Sequence, residues 1–369
     1  MADLVGDAET LAYKNANGLT MHLDIYPPPS DATGAAPLPG VVYFHGGALT
    51  VGNRKSWFPT WLHSRVIRLG MVFISVDYRL IPPATGHDIL DDIKDVFIFL
   101  EQDANRLIRE RWVASSRDGQ PFQIDSHRLA VSGSSAGGLC AYLAAMHAQP
   151  KPKAILSLYG MGGDMLATPK FVPFFRGREI LDPNDFCQYL YPACQELEIT
   201  SDSPLAYHPP TYRIPGYPAN PRMLLGRLYL QLGTFLDYYT GSHSPSLSAT
   251  LRQQLPTDPL SPSSGTQSTI QALRQSIPDA HLRLFPQFNI SSALPPTYLI
   301  HGSADTAVLA RESQNLLALL QDAGVPAKLV IVEGKEHSFD YEPRAEEEFG
   351  YLGGLFDQAV RFLEEILGR

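Results

Sequence analysis

Arg128-Leu129-Ala130-Val131-Ser132-Gly133-Ser134-Ser135-Ala136-Gly137-Gly138 reads as a short apolar strand running into a glycine–serine turn, and residues 139–147 continue as a helix. Within it, Gly133-Ser134-Ser135-Ala136-Gly137 is a G-x-S-x-G. Small residues two positions either side of a serine let strand and helix approach closely, so the chain turns sharply and leaves the serine Oγ exposed. Ser135 is thus a candidate nucleophile. The N–H of Ala136, at the start of the helix, is aimed where negative charge would develop. The competing reading is a glycine turn that serves packing alone.

Working outward, residues 41–44 and 71–76 are continuous apolar runs of the kind buried on both faces of a parallel sheet. The first ends in His45-Gly46-Gly47-Ala48 and the second in Asp77-Tyr78-Arg79. Between them residues 57–69 have helical spacing, with Ser56 as a candidate N-cap, and residues 89–100 repeat the pattern. Residues 154–159 form a further strand. Ahead of all of these, residues 11–26 alternate around Asn15-Ala16-Asn17-Gly18 as a hairpin, with Met21, Leu23 and Ile25 on one face, and residues 27–40 are a connector. The succession is that of an α/β protein with a mostly parallel sheet and right-handed crossovers.

The rhythm stops at Gly160 and resumes at residue 297 with strand 297–301, helix 310–323, strand 328–332 and helix 349–367. The interval 161–295 holds 17 of the 31 prolines, many aromatics including Phe174, Phe175, Tyr189 and Tyr229, and one lysine, Lys170. So long a loop without structure is implausible inside a compact domain, so the expected organisation is a core of residues 1–160 and 296–369 with an inserted cap at 161–295. Residues 186–190 and 223–239 are the helix candidates within the cap.

The chain has 369 residues, 44% hydrophobic and 18% charged, which suits a globular protein with a sizeable core. Its net charge of −9 repels phosphate backbones and anionic membranes, so nucleic acid is a poor partner. No apolar run is long enough for a transmembrane segment, and residues 1–10, with Asp3, Asp7 and Glu9, lack the apolar core of a secretory signal. Cys140, Cys187 and Cys194 form neither a disulfide framework nor a zinc-ligand spacing. A reducing, cytoplasmic setting is expected, with Cys187 and Cys194 unpaired. Neither cofactor nor metal is expected, and a homo-oligomer is compatible with the composition.

A nucleophilic serine needs a base, and the base needs an orienting acid. Asp305 follows the strand 297–301 and His337 follows the strand 328–332, so both lie in loops at the carboxyl edge of a parallel sheet, where Ser135 also lies. Glu333 and Asp340 are alternative acids. His45 and His301 are expected to tie down loops.

Taken together, His45-Gly46-Gly47, Asp77-Tyr78-Arg79-Leu80, Gly133-Ser134-Ser135-Ala136-Gly137-Gly138, the Asp305 loop and His337-Ser338-Phe339 resemble the hormone-sensitive-lipase-like branch of the α/β-hydrolase superfamily. The resemblance covers the chain outside the insert and implies an α/β-hydrolase fold. It also implies Ser135, Asp305 and His337 as the triad, with Gly46, Gly47, Ala48 and Ala136 at or beside the oxyanion hole and structural roles for Asp77 and Arg79. Ala48 departs from the family pattern, which has glycine there, and Ile81-Pro82-Pro83-Ala84 replaces the usual Ala-Pro-Glu. The implied activity is a serine carboxylesterase acting on an apolar small-molecule ester. Two alternatives share the fold: a cyclase or acyltransferase that uses the same acyl-enzyme, and a noncatalytic ligand receptor, which the retained His337 disfavours. Peptidase activity is a weaker fourth reading.

Overall fold

The computed structural model describes residues 8–29, 36–116, 119–167, 170–174, 180–212, 214, 216–255 and 267–368, with 267–269 as backbone; Asp3, Asp7 and Phe175 lie outside them. Glu9–Ala16 (β1) and Leu19–Tyr26 (β2) form the hairpin, turning at Asn17 and Gly18, both of which have positive φ. Leu38–Phe44 (β3), Thr60–Arg68 (α1), Val72–Val76 (β4), Gly86–Gln102 (α2), Ala104–Ala114 (α3), Ile124–Ser134 (β5), Ala136–His147 (α4) and Ile155–Leu158 (β6) follow. The long interval then contributes 3₁₀ turns at Pro183–Tyr189 and Ala193–Glu196. Its helices among the described residues are Arg222–Leu232 (α5), Phe235–Thr240 (α6), Leu247–Arg252 (α7), Gln267–Gln275 (α8) and Asp279–Leu282 (α9). Thr297–Gly302 (β7), Arg311–Asp322 (α10), Ala327–Val332 (β8), Ala345–Phe349 (α11) and Leu355–Leu367 (α12) complete the chain.

The strands make one sheet in the order β1-β2-β4-β3-β5-β6-β7-β8, parallel from β4 to β8, with the hairpin added antiparallel at one edge. Alternation along a strand sends successive side chains to opposite faces, so both faces of β3 need cover. Val42 and Phe44 pack with residues of α2, α4 and α10; Val41 and Tyr43 pack with residues of α1, α11 and α12. Trp61 of α1 stacks on Phe356 of α12 at 4.1 Å. Leu224, Phe235, Tyr239 and Phe285 from the interval share the cluster of Ile89 and Leu139, so its aromatics pack onto the sheet-and-helix core. No helix among the described residues is long and apolar enough to cross a membrane.

Several elements differ from the sequence expectation. α1 begins at Thr60: Trp57 has φ +44°, and Pro59, without an N–H to satisfy, precedes the first turn. Ser56 does not cap this helix; its Oγ accepts from Asn53 N–H at 3.1 Å. The single helix expected at 223–239 is two, because Gly233 takes a left-handed φ of +63° and ends α5. The closing helix expected from residue 349 begins only at Leu355, after Gly353 at positive φ, and a short α11 precedes it. At 186–190 the chain has only a 3₁₀ turn, and α3 was not anticipated. On the second face of β2, which the sequence reading left unassigned, Arg54 Nε lies 2.8 Å from the buried Asp24 carboxylate and Tyr26 packs against Phe58, His63 and Phe73.

Candidate active site

Ser135 sits between β5 and α4 at φ +54° and ψ −121°, a strained conformation for a residue with a side chain. The surrounding glycines make it attainable. A Cβ on Gly133 would lie 2.1 Å from the Gly137 carbonyl oxygen, and one on Gly137 would lie 2.0 Å from that of Phe44. Ser135 N–H donates to Leu158 O at 3.0 Å, which fastens the turn to β6. Ser135 is half-buried while Ser134 and Ala136 on either side are buried, so its side chain is the one presented outward.

The loop after β3 lies alongside. A Cβ on Gly46 would come within 3.3 Å of Ser135 Cβ, so this loop and the elbow are in near contact. Gly47 at φ +106°, Ala48 at +54° and Leu49 at +66° wind the loop left-handed, and Thr50 N–H and Val51 N–H donate to Gly47 O at 2.9 and 3.3 Å. The other expected loop contacts are also present. His45, fully buried, stacks on Tyr78 with centroids 4.3 Å apart, and its Nδ1 is 2.7 Å from Gly46 O. Burial lowers the His45 imidazole from 6.5 to about 4, so it is neutral at ordinary pH.

At the neighbouring strand ends, His337 Nδ1 lies 2.6 Å from Asp305 Oδ2. The other carboxylate oxygen accepts from Ala307 N–H and Val308 N–H, each at 2.8 Å. His301 joins them, its Nε2 3.2 Å from Asp305 Oδ2 and 2.9 Å from Val308 O, and its Nδ1 2.7 Å from Ser313 Oγ. Both groups facing Nε2 accept, which assigns the proton there and leaves Nδ1 to accept from Ser313. Burial alone would raise the Asp305 carboxyl, but hydrogen bonds from His301 and His337 outweigh it and hold the group well below the usual carboxylate range. Sequence reading placed His301 as a loop tie only; its contact with Asp305 spans the turn after β7, and its position four residues before Asp305 was the available signal.

Glu336, also not singled out, accepts from Thr306 N–H at 2.9 Å and His337 N–H at 3.2 Å, joining the two loops. The His337 ring meets Tyr159 edge-on at 4.7 Å, and Tyr159 follows the Leu158 whose carbonyl receives Ser135 N–H. Of the alternative acids, Asp340 instead accepts from Trp61 Nε1 at 2.9 Å and Tyr159 Oη at 2.7 Å, with its carboxyl raised by burial, and Glu333 is exposed. Asp77 receives Arg54 N–H and Nη1, each at 2.7 Å, and Arg79 Nη2 pairs with the buried Asp92 at 2.8 Å. These ion pairs tie the loop after β4 to the loop after β3 and to α2.

Ser135 opens into a cleft that is continuous with solvent. Ala48 and Val308 line it from the core; Met161, Phe174, Leu230 and Phe235 line it from the long interval. Polar lining includes Lys170 and Glu312, which form a buried ion pair with each other. Cys140, Cys187 and Cys194 are free thiols, and no cluster among the described residues has the makings of a metal site.

Residues 41–211 match the model of an α/β-hydrolase fold family, and residues 272–360 match that of the prolyl oligopeptidase family. A probable carboxylesterase of a Phoma species is 34% identical over 33% of this chain and 37% of its own length. The non-reducing polyketide synthase pkbA of Emericella nidulans is 27% identical over 90% of this chain but only 13% of its own. The chain therefore spans well under two thirds of the length of these curated relatives. Among solved structures, a thermophilic esterase from Thermogutta terrifontis is 18% identical with a TM-score of 0.54, covering 98% of this chain and 94% of that one. An α/β-hydrolase superfamily protein from Enterococcus faecalis is 16% identical with a TM-score of 0.59, covering 97% and 98%. With the sheet order, the serine elbow between β5 and α4 and these matches in hand, the chain has the α/β-hydrolase fold, and its residues 41–211 are similar to a family of that fold.

Proposed function

We propose that this chain is a serine hydrolase of carboxylic esters that works through an acyl-enzyme on Ser135. The observation that carries the reading is the hydrogen-bonded Asp305–His337 couple in the loops after β7 and β8, at the same sheet edge as the half-buried Ser135 on its strained elbow. Asp305 holds the His337 Nδ1–H, which leaves Nε2 free to take the Ser135 proton as Oγ attacks the ester carbonyl. The tetrahedral oxyanion is met by N–H groups of Gly47, Ala48 and Ala136, beside Gly46. His337 then protonates the departing alcohol, and water attacks the acyl-enzyme by the same route in reverse. The apolar lining from residues 161–295, acting as a cap, favours an apolar acyl or alcohol group, and the free thiols suit a cytoplasmic setting.

A fluorophosphonate probe should label Ser135, and Ser135→Ala should lower turnover of a short-chain aryl ester by about 10⁴- to 10⁶-fold. Labelling at another residue, or wild-type turnover by the variant, would refute the assignment.

A second reading is favoured by the relatives: the stretch that matches polyketide synthases covers nearly all of this chain and a small part of theirs. Here the acyl group is polyketide-derived and is released to water or to a hydroxyl or carbon nucleophile of its own, the latter giving a cyclised product. Turnover in ¹⁸O-water separates the outcomes, since a hydrolytic product takes up one solvent oxygen and a cyclised one takes up none.

A further inference from the structure

Ala48 stands where the related loop has a third glycine, and the space its methyl group needs is supplied from the cap. A Cβ built on Gly226 of α5 would lie 2.4 Å from Ala48 Cβ, far inside contact distance, so the glycine at 226 and the alanine at 48 are complementary. One turn earlier on the same helix face, Arg222 is buried. Its Nη1 donates to Thr50 O at 3.2 Å and Ile81 O at 3.3 Å, and its Nη2 to Pro82 O at 2.6 Å. The returning bond comes from Thr50 Oγ1, which lies 3.0 Å from Arg222 O and 3.2 Å from Gly47 O and shares its proton between them. Further along the loop, Gly52 and Ser203 exchange backbone hydrogen bonds of 2.8 and 3.1 Å. Ile81 N–H also donates to Leu49 O at 2.8 Å. The cap therefore touches the loop at Ala48, Thr50 and Gly52. The segment Ile81-Pro82, where the sequence departs from its relatives, supplies two of the carbonyls that hold Arg222.

A left-handed run through Gly47, Ala48 and Leu49 is costly for residues with side chains and persists only when its surroundings hold it. We propose that α5 is that support: Gly226 and Arg222 are positioning residues that set the height of the Gly47 and Ala48 N–H groups over Ser135, so the cap tunes the oxyanion hole as well as lining the cleft. This rests on the serine hydrolase reading above.

The test is a double-mutant cycle at positions 48 and 226, read by aryl-ester kinetics and by the second-order rate of Ser135 phosphonylation, whose tetrahedral adduct needs the same donors. A misplacement of about 1 Å at a reacting site costs on the order of 100-fold. Gly226→Ala in the wild-type background should therefore lower kcat and the phosphonylation rate by roughly 30- to 100-fold, with KM changed less than about threefold. In the Ala48→Gly background the same substitution should cost less than about threefold in both. Arg222→Gln should lower kcat in preference to KM. Equal losses from Gly226→Ala in the two backgrounds would overturn the proposal, as would a folded Gly226→Ala single variant with wild-type kcat. If that single variant does not fold, the double variant carries the test: it must fold and match Ala48→Gly within about threefold, and a folded but inactive double variant refutes it. Failure of wild-type Ser135 to label would instead sink the hydrolase reading, so the two failures are distinguishable.

Discussion

At the residue scale, the site depends on side chains whose charge state is set by burial and then corrected by partners. Asp305 receives four hydrogen bonds, two from backbone N–H groups and two from histidines, and so stays ionised despite being buried. His45 has no carboxylate partner and stays neutral, its imidazole lowered to about 4 by burial. Because the folded value lies below the unfolded 6.5, stability from the neutral ring is complete above pH 6.5 and lost as pH falls toward 4. His45 should accordingly account for about 2 kcal/mol of lost stability between pH 7 and pH 5. Urea unfolding at the two pH values measures this, and His45→Asn should show a shallower slope. His63, buried against Tyr26, Phe58 and Phe73 and also lowered to about 4, steepens the slope in both proteins.

At the element scale, the strand–turn–helix around Ser135 was legible from five residues because its requirement is local: the backbones of β3, β5 and α4 pass so closely that no Cβ fits at Gly133 or Gly137. Gly137→Ala would press a methyl group onto the Phe44 carbonyl, which belongs to a central strand and cannot yield as a side chain would. The expected cost is about 3 kcal/mol, read by urea unfolding, with a parallel fall in Ser135 labelling. Helix limits were less legible. Apolar periodicity runs across Gly233 and across the glycines between α11 and α12, and periodicity does not reveal where a glycine turns left-handed. α3 was missed because it buries only Ala104 and Ile108, too few positions to stand out as an apolar face.

At the scale of the whole molecule, the long interval is joined to the core by polar as well as apolar contacts. Lys170, the only lysine between residues 161 and 295, pairs with Glu312 of α10, and both are buried. Glu312 also accepts from Gly162 N–H at 2.8 Å, and Lys170 donates to Asp164 O at 2.9 Å, so one ion pair binds the start of the interval to the helix after the Asp305 loop. Lys170→Met leaves Glu312 buried without its cation and should cost about 3–5 kcal/mol. The double variant Lys170→Met/Glu312→Leu should recover much of that loss, and thermal unfolding of the two compared with wild type distinguishes them.

By itself the sequence determined the α/β succession, the serine on its elbow and the candidate loops at the strand ends, because strand period, glycine sterics and residue order along a parallel sheet all act over short spans. Only the tertiary structure decided which carboxylate faces His337, that His301 shares it, and that Gly226 makes room for Ala48. Those outcomes depend on packing between elements far apart in the chain, where fractions of an ångström choose among residues that look equivalent in one dimension.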